Sequence, residues 1–261
     1  MTIKVGLAQT NVTFANPDAN FKRVEEYVRK AAEQEVDVVV FPEMWNTGYA
    51  LNQLDQLADE NGKRTQQLLQ SLASQYQLNI VGGSVATKRN GHFYNTSYVV
   101  SDQGAVVSAY DKVHLFGLMH EGEFITAGSD ETSFELAQVP STGVICYDIR
   151  FPEWLRTLSR HGAQVLYVSA EWPDVRVTQW ELLVRARAIE NQAFVVAVNR
   201  VGDDPDNHFN GHSLVVDPLG NIIAQAGEQE ELKVASFDLE SIEAVRGQIP
   251  VFKDRRPDLY K

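Results

Sequence analysis

The chain has 261 residues, 44% hydrophobic and 22% charged, enough to bury a substantial core. Its formal net charge of -12 and the lack of any basic run count against a nucleic-acid partner, whose phosphates would be repelled. No window approaches the ~18 consecutive apolar residues of a membrane span, so no membrane association is expected.

The opening residues run directly into a strand pattern over 3–8, with no charged leader or cleavage site ahead of it. Asn16-Pro17-Asp18 opens a helix carrying Phe21, Val24, Val28, Ala31 and Ala32 at helical spacing. Residues 36–41 are a nearly continuous β-branched run, the mark of a strand buried on both faces, and they end at Pro42-Glu43. A second helix is predicted over 63–75, with Leu68, Leu69, Leu72 and Tyr76 turned inward, and then a strand over 79–85. Two strands, 93–101 and 105–110, join at Asp102-Gln103-Gly104, a hairpin signal. Residues 111–128 read as a loop.

A short apolar strand then leads into Cys146. A helix entered through Pro152 follows over 151–159, then a strand over 164–169. The next helix, 178–191, is expected to start on a Thr178 cap, and a strand over 193–199 follows it. Residues 213–217 and 221–225 form a hairpin about Pro218-Leu219-Gly220, and the last strand covers 233–239. The tail 249–261 is basic, contains proline and has no periodicity. Strand–helix–strand units thus occur twice, each followed by hairpins. The pattern predicts a pseudo-duplicated α/β fold, two mixed sheets packed together with helices outside, in one domain.

Cys146 is the only cysteine, which permits no internal disulfide and suits a reducing, cytoplasmic setting. A lone cysteine is more often a small buried hydrophobe than a nucleophile. Its place on a strand-to-helix turn sets it near free backbone N–H groups, which can lower a thiol's pKa and hold an oxyanion. Glu43 stands at a strand end, where α/β sheets build sites, and Trp45, Gly48 and Tyr49 behind it suggest a pocket wall. Lys112 is either a solvated lysine or a buried donor, and Glu121 and Glu123 form an unspecific pair of carboxylates. A thiol with a carboxylate base and a lysine is chemically coherent. Glu43 would take the proton, Cys146 would attack a carbonyl, and Lys112 with the Tyr147 N–H would hold the oxyanion. The histidines lack metal-ligand spacing, Gly82-Gly83 fits no phosphate-binding pattern, and there is no Gly-x-Ser-x-Gly elbow, so no metal and no cofactor are expected.

Three stretches in the right order, Val40-Phe41-Pro42-Glu43, residues 110–115 and residues 144–153, identify the chain by resemblance as a member of the nitrilase superfamily of carbon–nitrogen hydrolases. The resemblance implies a four-layer α-β-β-α sandwich. It places the catalytic glutamate, lysine and cysteine on Glu43, Lys112 and Cys146, and the additional pocket glutamate on Glu121, with Glu123 as competitor. It also implies a homodimer in which pairing extends the sandwich and the tail 249–261 crosses the partner. The pieces 169–173, 180–183, 185–192 and 199–202 resemble the ω-amidase branch, whose members hydrolyse the terminal amide of 2-oxoglutaramate or 2-oxosuccinamate. Such a substrate needs a cation or several N–H donors for its distal carboxylate and a small pocket near Cys146, for which Phe116, Trp172 and Arg176 are the candidate contacts. Arg185 and Arg187 are expected in structural ion pairs. The competing readings are an amidase for deaminated glutathione or an aliphatic amide, and a non-catalytic binding scaffold.

Overall fold

Period-two alternation in the valine-rich segments decides the layers. In the computed structural model, which describes residues 1–260, Val38 and Val40 face one core while Val39 between them faces another. In the second half Val165 and Tyr167 share the first core, whereas Leu166 and Val168 point the opposite way. Each such strand therefore needs cover on both faces, and the chain supplies a sheet on one side and helices on the other.

The first sheet runs Glu231–Asp238, Thr2–Gln9, Val38–Val40, Asn79–Val81, His92–Val100, Val85–Arg89, Asp59–Glu60, with Val106–Asp111 also paired to His92–Val100. The second runs Ile222–Gln225, Leu214–Val216, Phe194–Asn199, Val165–Ala170, Val139–Ile145, Phe134–Leu136. Helices Pro17–Glu33 and Lys63–Tyr76 bury Phe21, Val28, Leu69 and Leu72 against the first sheet. Helices Pro152–Ser159 and Val177–Asn191 bury Leu155, Leu158, Trp180 and Val184 against the second. The result is the four-layer sandwich of two mixed sheets with outer helices.

The parallel strands Thr2–Gln9, Val38–Val40 and Asn79–Val81, and likewise Val139–Ile145, Val165–Ala170 and Phe194–Asn199, point one way within each sheet. Their carboxyl ends carry Glu43, Cys146 and Glu171 into one place. That is the position at which open parallel sheets build sites.

Several expectations change. The strand expected over 79–85 is two, Asn79–Val81 and Val85–Arg89, because Gly83 takes φ +64 and presses on Pro42. A β-carbon there would lie 2.0 Å from the Pro42 carbonyl oxygen, so only glycine allows the turn. Thr178 does not cap its helix; the helix starts at Val177 without a side-chain cap. Helix Glu240–Gln248 and edge strand Phe134–Leu136 were not anticipated, and the tail contains short turns at Val251–Asp254 and Pro257–Leu259. No helix among the described residues is long and apolar enough to cross a membrane.

Candidate active site

Strand Val139–Ile145 ends where Cys146 enters a 3-10 turn over Cys146–Arg150 with φ +44. The left-handed region costs a non-glycine residue about 1–2 kcal/mol, so surrounding bonds must hold it. Asp148 does so from inside the turn: its Oδ2 accepts the Ile145 N–H at 3.1 Å. The thiol is buried, with Sγ 3.9 Å from the Glu171 carbonyl oxygen.

Glu43, Lys112 and Glu121 are fully buried beside it. Lys112 Nζ donates to Glu43 Oε1 at 2.8 Å and to Glu121 Oε2 at 2.8 Å, and lies 3.2 Å from the Tyr49 hydroxyl. Two carboxylates on one ammonium repay its desolvation. Burial by itself would lower the Lys112 pKa, but the Glu121 and Glu43 charges overcome that and raise it, so the lysine stays charged. Glu43 Oε1 also accepts from Tyr49 Oη at 2.8 Å and Asn95 Nδ2 at 2.9 Å, while its Oε2 accepts the Glu171 N–H at 2.9 Å. Asn95 Nδ2 reaches Glu121 Oε1 as well, at 3.1 Å, and Glu121 Oε2 accepts the Phe116 N–H at 2.8 Å.

The thiol departs from expectation. Burial, above all, and then the Glu43 carboxylate push the Cys146 pKa well above the ordinary thiol value, with Lys112 opposing. The free N–H groups of the turn do not outweigh this, so the resting group is a thiol and its proton has to be taken during attack. Tyr49 is likewise raised, by burial and then by the Glu121 and Glu43 charges, and remains a neutral hydroxyl donor.

Cys146 opens onto a narrow cleft walled by Tyr49, Phe116, Tyr147, Trp172 and Arg176 with Arg150. All three expected substrate contacts, Phe116, Trp172 and Arg176, line it. The Arg176 guanidinium sits 5.5 Å from the Phe116 ring centre and that of Arg150 4.7 Å from the Trp172 ring. Neither arginine appears among the ion pairs of the described residues, so two cations face a small cleft without a carboxylate partner.

Glu123 stays on the surface, its carboxylate 2.8 Å from His120 Nδ1, which leaves Glu121 as the glutamate brought to Lys112. Arg187 pairs with Glu190 at 2.8 Å, whereas Arg185 donates to the Gly220 carbonyl and has no carboxylate partner among the described residues. Sequence reasoning overlooked Asn95, Asp148, Arg150 and Glu171 as site residues. Asn95 and Asp148 carry no local signal, since an asparagine in a strand and an aspartate in a turn are commonplace. Glu171 is buried and its carboxyl is pushed up to about 8, first by burial and against the pull of Arg200 3.4 Å away. Among the described residues no group of three or more His, Cys, Asp or Glu side chains is placed to hold a metal ion.

This sandwich, with a thiol, a lysine and two carboxylates at the strand ends, is a nitrilase-type hydrolase architecture. Residues 4–247 match the family model of carbon–nitrogen hydrolases, and the chain belongs to that family, hydrolases acting on carbon–nitrogen bonds. It is 46% identical over 256 residues to a 2-oxoglutaramate amidase of Bacillus subtilis, covering 98% of each chain. It is 33% identical to the omega-amidase NIT3 of Saccharomyces cerevisiae, over 99% of this chain and 94% of that one. The crystal structure of yeast Nit3, a member of branch 10 of the nitrilase superfamily, superposes with a TM-score of 0.91 at 33% identity, over 98% and 97% of the two chains. A CN-hydrolase superfamily protein of Xanthomonas campestris, with an arsenic adduct in its active site, gives 0.91 at 28% identity over 98% of each.

Proposed function

We propose that this protein is an ω-amidase that hydrolyses the terminal amide of a short 2-oxo dicarboxylic acid monoamide, 2-oxoglutaramate first and 2-oxosuccinamate second, releasing ammonia. One observation carries the reading. A lysine bonded to two buried carboxylates stands behind the sole thiol, and that thiol lines a narrow cleft together with Arg150 and Arg176, which have no carboxylate partners among the described residues. The first group of residues suits acyl transfer; the second suits a substrate with a distal carboxylate. The Bacillus and yeast relatives support the same substrate class.

Arg176, Arg150 and the walls Phe116 and Trp172 hold the 2-oxo acid end, leaving the amide carbon at Cys146. Glu43 takes the thiol proton as sulfur attacks; of its two oxygens Oε2 accepts only one bond, from the Glu171 N–H, and has capacity left. The carbonyl oxygen becomes an oxyanion held by Lys112 Nζ and the Tyr147 N–H, donors already fixed before reaction. Glu43 returns its proton to the nitrogen, the C–N bond breaks, and ammonia leaves a thioester on Cys146. Amines leave poorly unprotonated, so base and acid must be the same pre-placed group. Water, deprotonated by Glu43, then attacks the thioester, and the proton returns to the sulfur as the acid departs. Glu121 keeps Lys112 charged and aimed. Its own carboxylate is already committed to Lys112, Asn95 and the Phe116 N–H.

The test is ammonia release from a panel of 2-oxoglutaramate, 2-oxosuccinamate, deaminated glutathione and glutamine, with Cys146→Ala as control. The 2-oxo monoamides should be preferred and the variant inactive. If 2-oxoglutaramate gives no ammonia above the Cys146→Ala background while another amide is turned over, the substrate assignment is wrong although the reaction class stands.

The sandwich is read as one catalytic domain with residues 249–261 as a tail that crosses a second copy of the chain. Ile249, Leu259 and Tyr260 lie exposed on that tail, apolar groups that a homodimer would cover. Removing the tail should shift the mass measured by light scattering toward a monomer. A reducing, cytoplasmic setting fits an enzyme whose one thiol must stay reduced.

A further inference from the structure

We propose that Asp148 is a positioning residue that sets the separation of Lys112 and Cys146, a role that rests on reading those two as oxyanion donor and nucleophile. Asp148 is fully buried and its carboxylate takes four bonds from two segments of chain. Oδ1 accepts from the His114 backbone N–H at 2.9 Å and faces His114 Nδ1 at 2.7 Å. Oδ2 accepts from the Tyr110 hydroxyl at 2.8 Å and from the Ile145 N–H at 3.1 Å.

The arrangement is a bracket. Tyr110 and His114 stand two residues to either side of Lys112, while Ile145 and Asp148 enclose Cys146. The two segments come from different sheets, Val106–Asp111 in the first and Val139–Ile145 in the second, and no covalent constraint fixes their spacing. One carboxylate therefore joins the support of the donor to the support of the nucleophile. Its outer groups are themselves fixed. Trp154 Nε1 donates to the Tyr110 oxygen at 3.1 Å, and the His114 ring stacks on Phe151 at 3.7 Å. Because Asp148 accepts, His114 carries its proton on Nδ1 when neutral. An N-cap role for the turn alone would need only the Ile145 bond; the three bonds to residues 110 and 114 do nothing for that turn.

Asparagine fills the same space but offers one accepting oxygen and a donating amide, so it cannot accept from both sides of the bracket. Asp148→Asn should lower kcat on the order of a hundredfold while KM stays within about twofold, since misplacement by ~1 Å costs that much and the cleft walls are untouched. Tyr110→Phe removes a single arm and should lower kcat roughly tenfold, again at constant KM. Both are assayed with 2-oxoglutaramate beside wild type and Cys146→Ala, with thermal melts recorded. If Asp148→Asn fails to fold, Tyr110→Phe decides alone. Wild-type kcat in Tyr110→Phe, or a KM rise at unchanged kcat in either variant, overturns the positioning role. A Cys146→Ala variant that still releases ammonia overturns instead the reading on which it rests.

Discussion

Replacing Lys112 by methionine removes the one cation between Glu43 and Glu121 and keeps most of the side-chain volume. Glu43 Oε1 and Glu121 Oε2 each lie 2.8 Å from Nζ, so they are separated by at most twice that, about 5.6 Å. At an effective dielectric of about 20, two like charges at that distance repel by about 3 kcal/mol. Losing the attraction as well makes the expected destabilisation at neutral pH about 3–5 kcal/mol, the usual cost of breaking a buried pair from one side. Lys112→Met should therefore melt well below wild type at neutral pH. Adding Glu121→Gln should restore much of the neutral-pH stability without restoring activity. The oxyanion donor alone accounts for a 10²–10³ loss in kcat, about 3–4 kcal/mol. Thermal melts at neutral pH, with ammonia release on the folded variants, are the assay. A single variant that melts with wild type at neutral pH would refute the shared-charge account, and retention of kcat within about tenfold would refute the oxyanion role.

Three further outcomes are expected. Iodoacetamide should label Cys146 slowly at pH 7 and much faster as the pH is raised, because burial and Glu43 hold its pKa above the ordinary thiol value; fast neutral labelling would show a pre-formed thiolate. Arg176→Met and Arg150→Met should raise KM for 2-oxoglutaramate by about 10- to 100-fold, the worth of a charge-assisted contact, while leaving a simple aliphatic amide nearly unaffected; equal effects on both substrates would remove the carboxylate assignment. Glu171, pushed up to about 8, makes wild type lose stability as pH rises from about 4.5 to 8, since the folded chain keeps a proton that the unfolded chain releases. Glu171→Gln should flatten that slope by a few kcal/mol at most in urea melts, and an unchanged slope would assign it elsewhere.

The candidate nucleophile, base and lysine were legible because each sits in a short run whose neighbours have a clear structural duty. Val38-Val39-Val40 can only be a strand between two layers, and Glu43 follows three residues after its end. Pro152 opens a helix just past Cys146, which makes the cysteine a turn residue. Asn95 and Asp148 were not legible for the opposite reason. Their types fit any strand or turn, and their partners are 52 and 38 residues distant, at Glu43 and Tyr110. Choosing Glu121 over Glu123 likewise turned on which way a four-residue helical turn faces. Local spacing cannot decide that.

The thiol marks the division most sharply. From sequence alone came the two-sheet sandwich, through alternation and repeated strand–helix–strand units, and the roles of the three side chains, through motifs that resemble those of a known family. Those are local properties, each carried by a run of about ten residues. The protonation state of Cys146, the fourfold hold on Glu43, the bracket made by Asp148 and the pair of uncompensated arginines were decided only when the sheets packed. Desolvation and Coulomb interaction depend on distances between segments that are remote in sequence, and packing alone sets those distances.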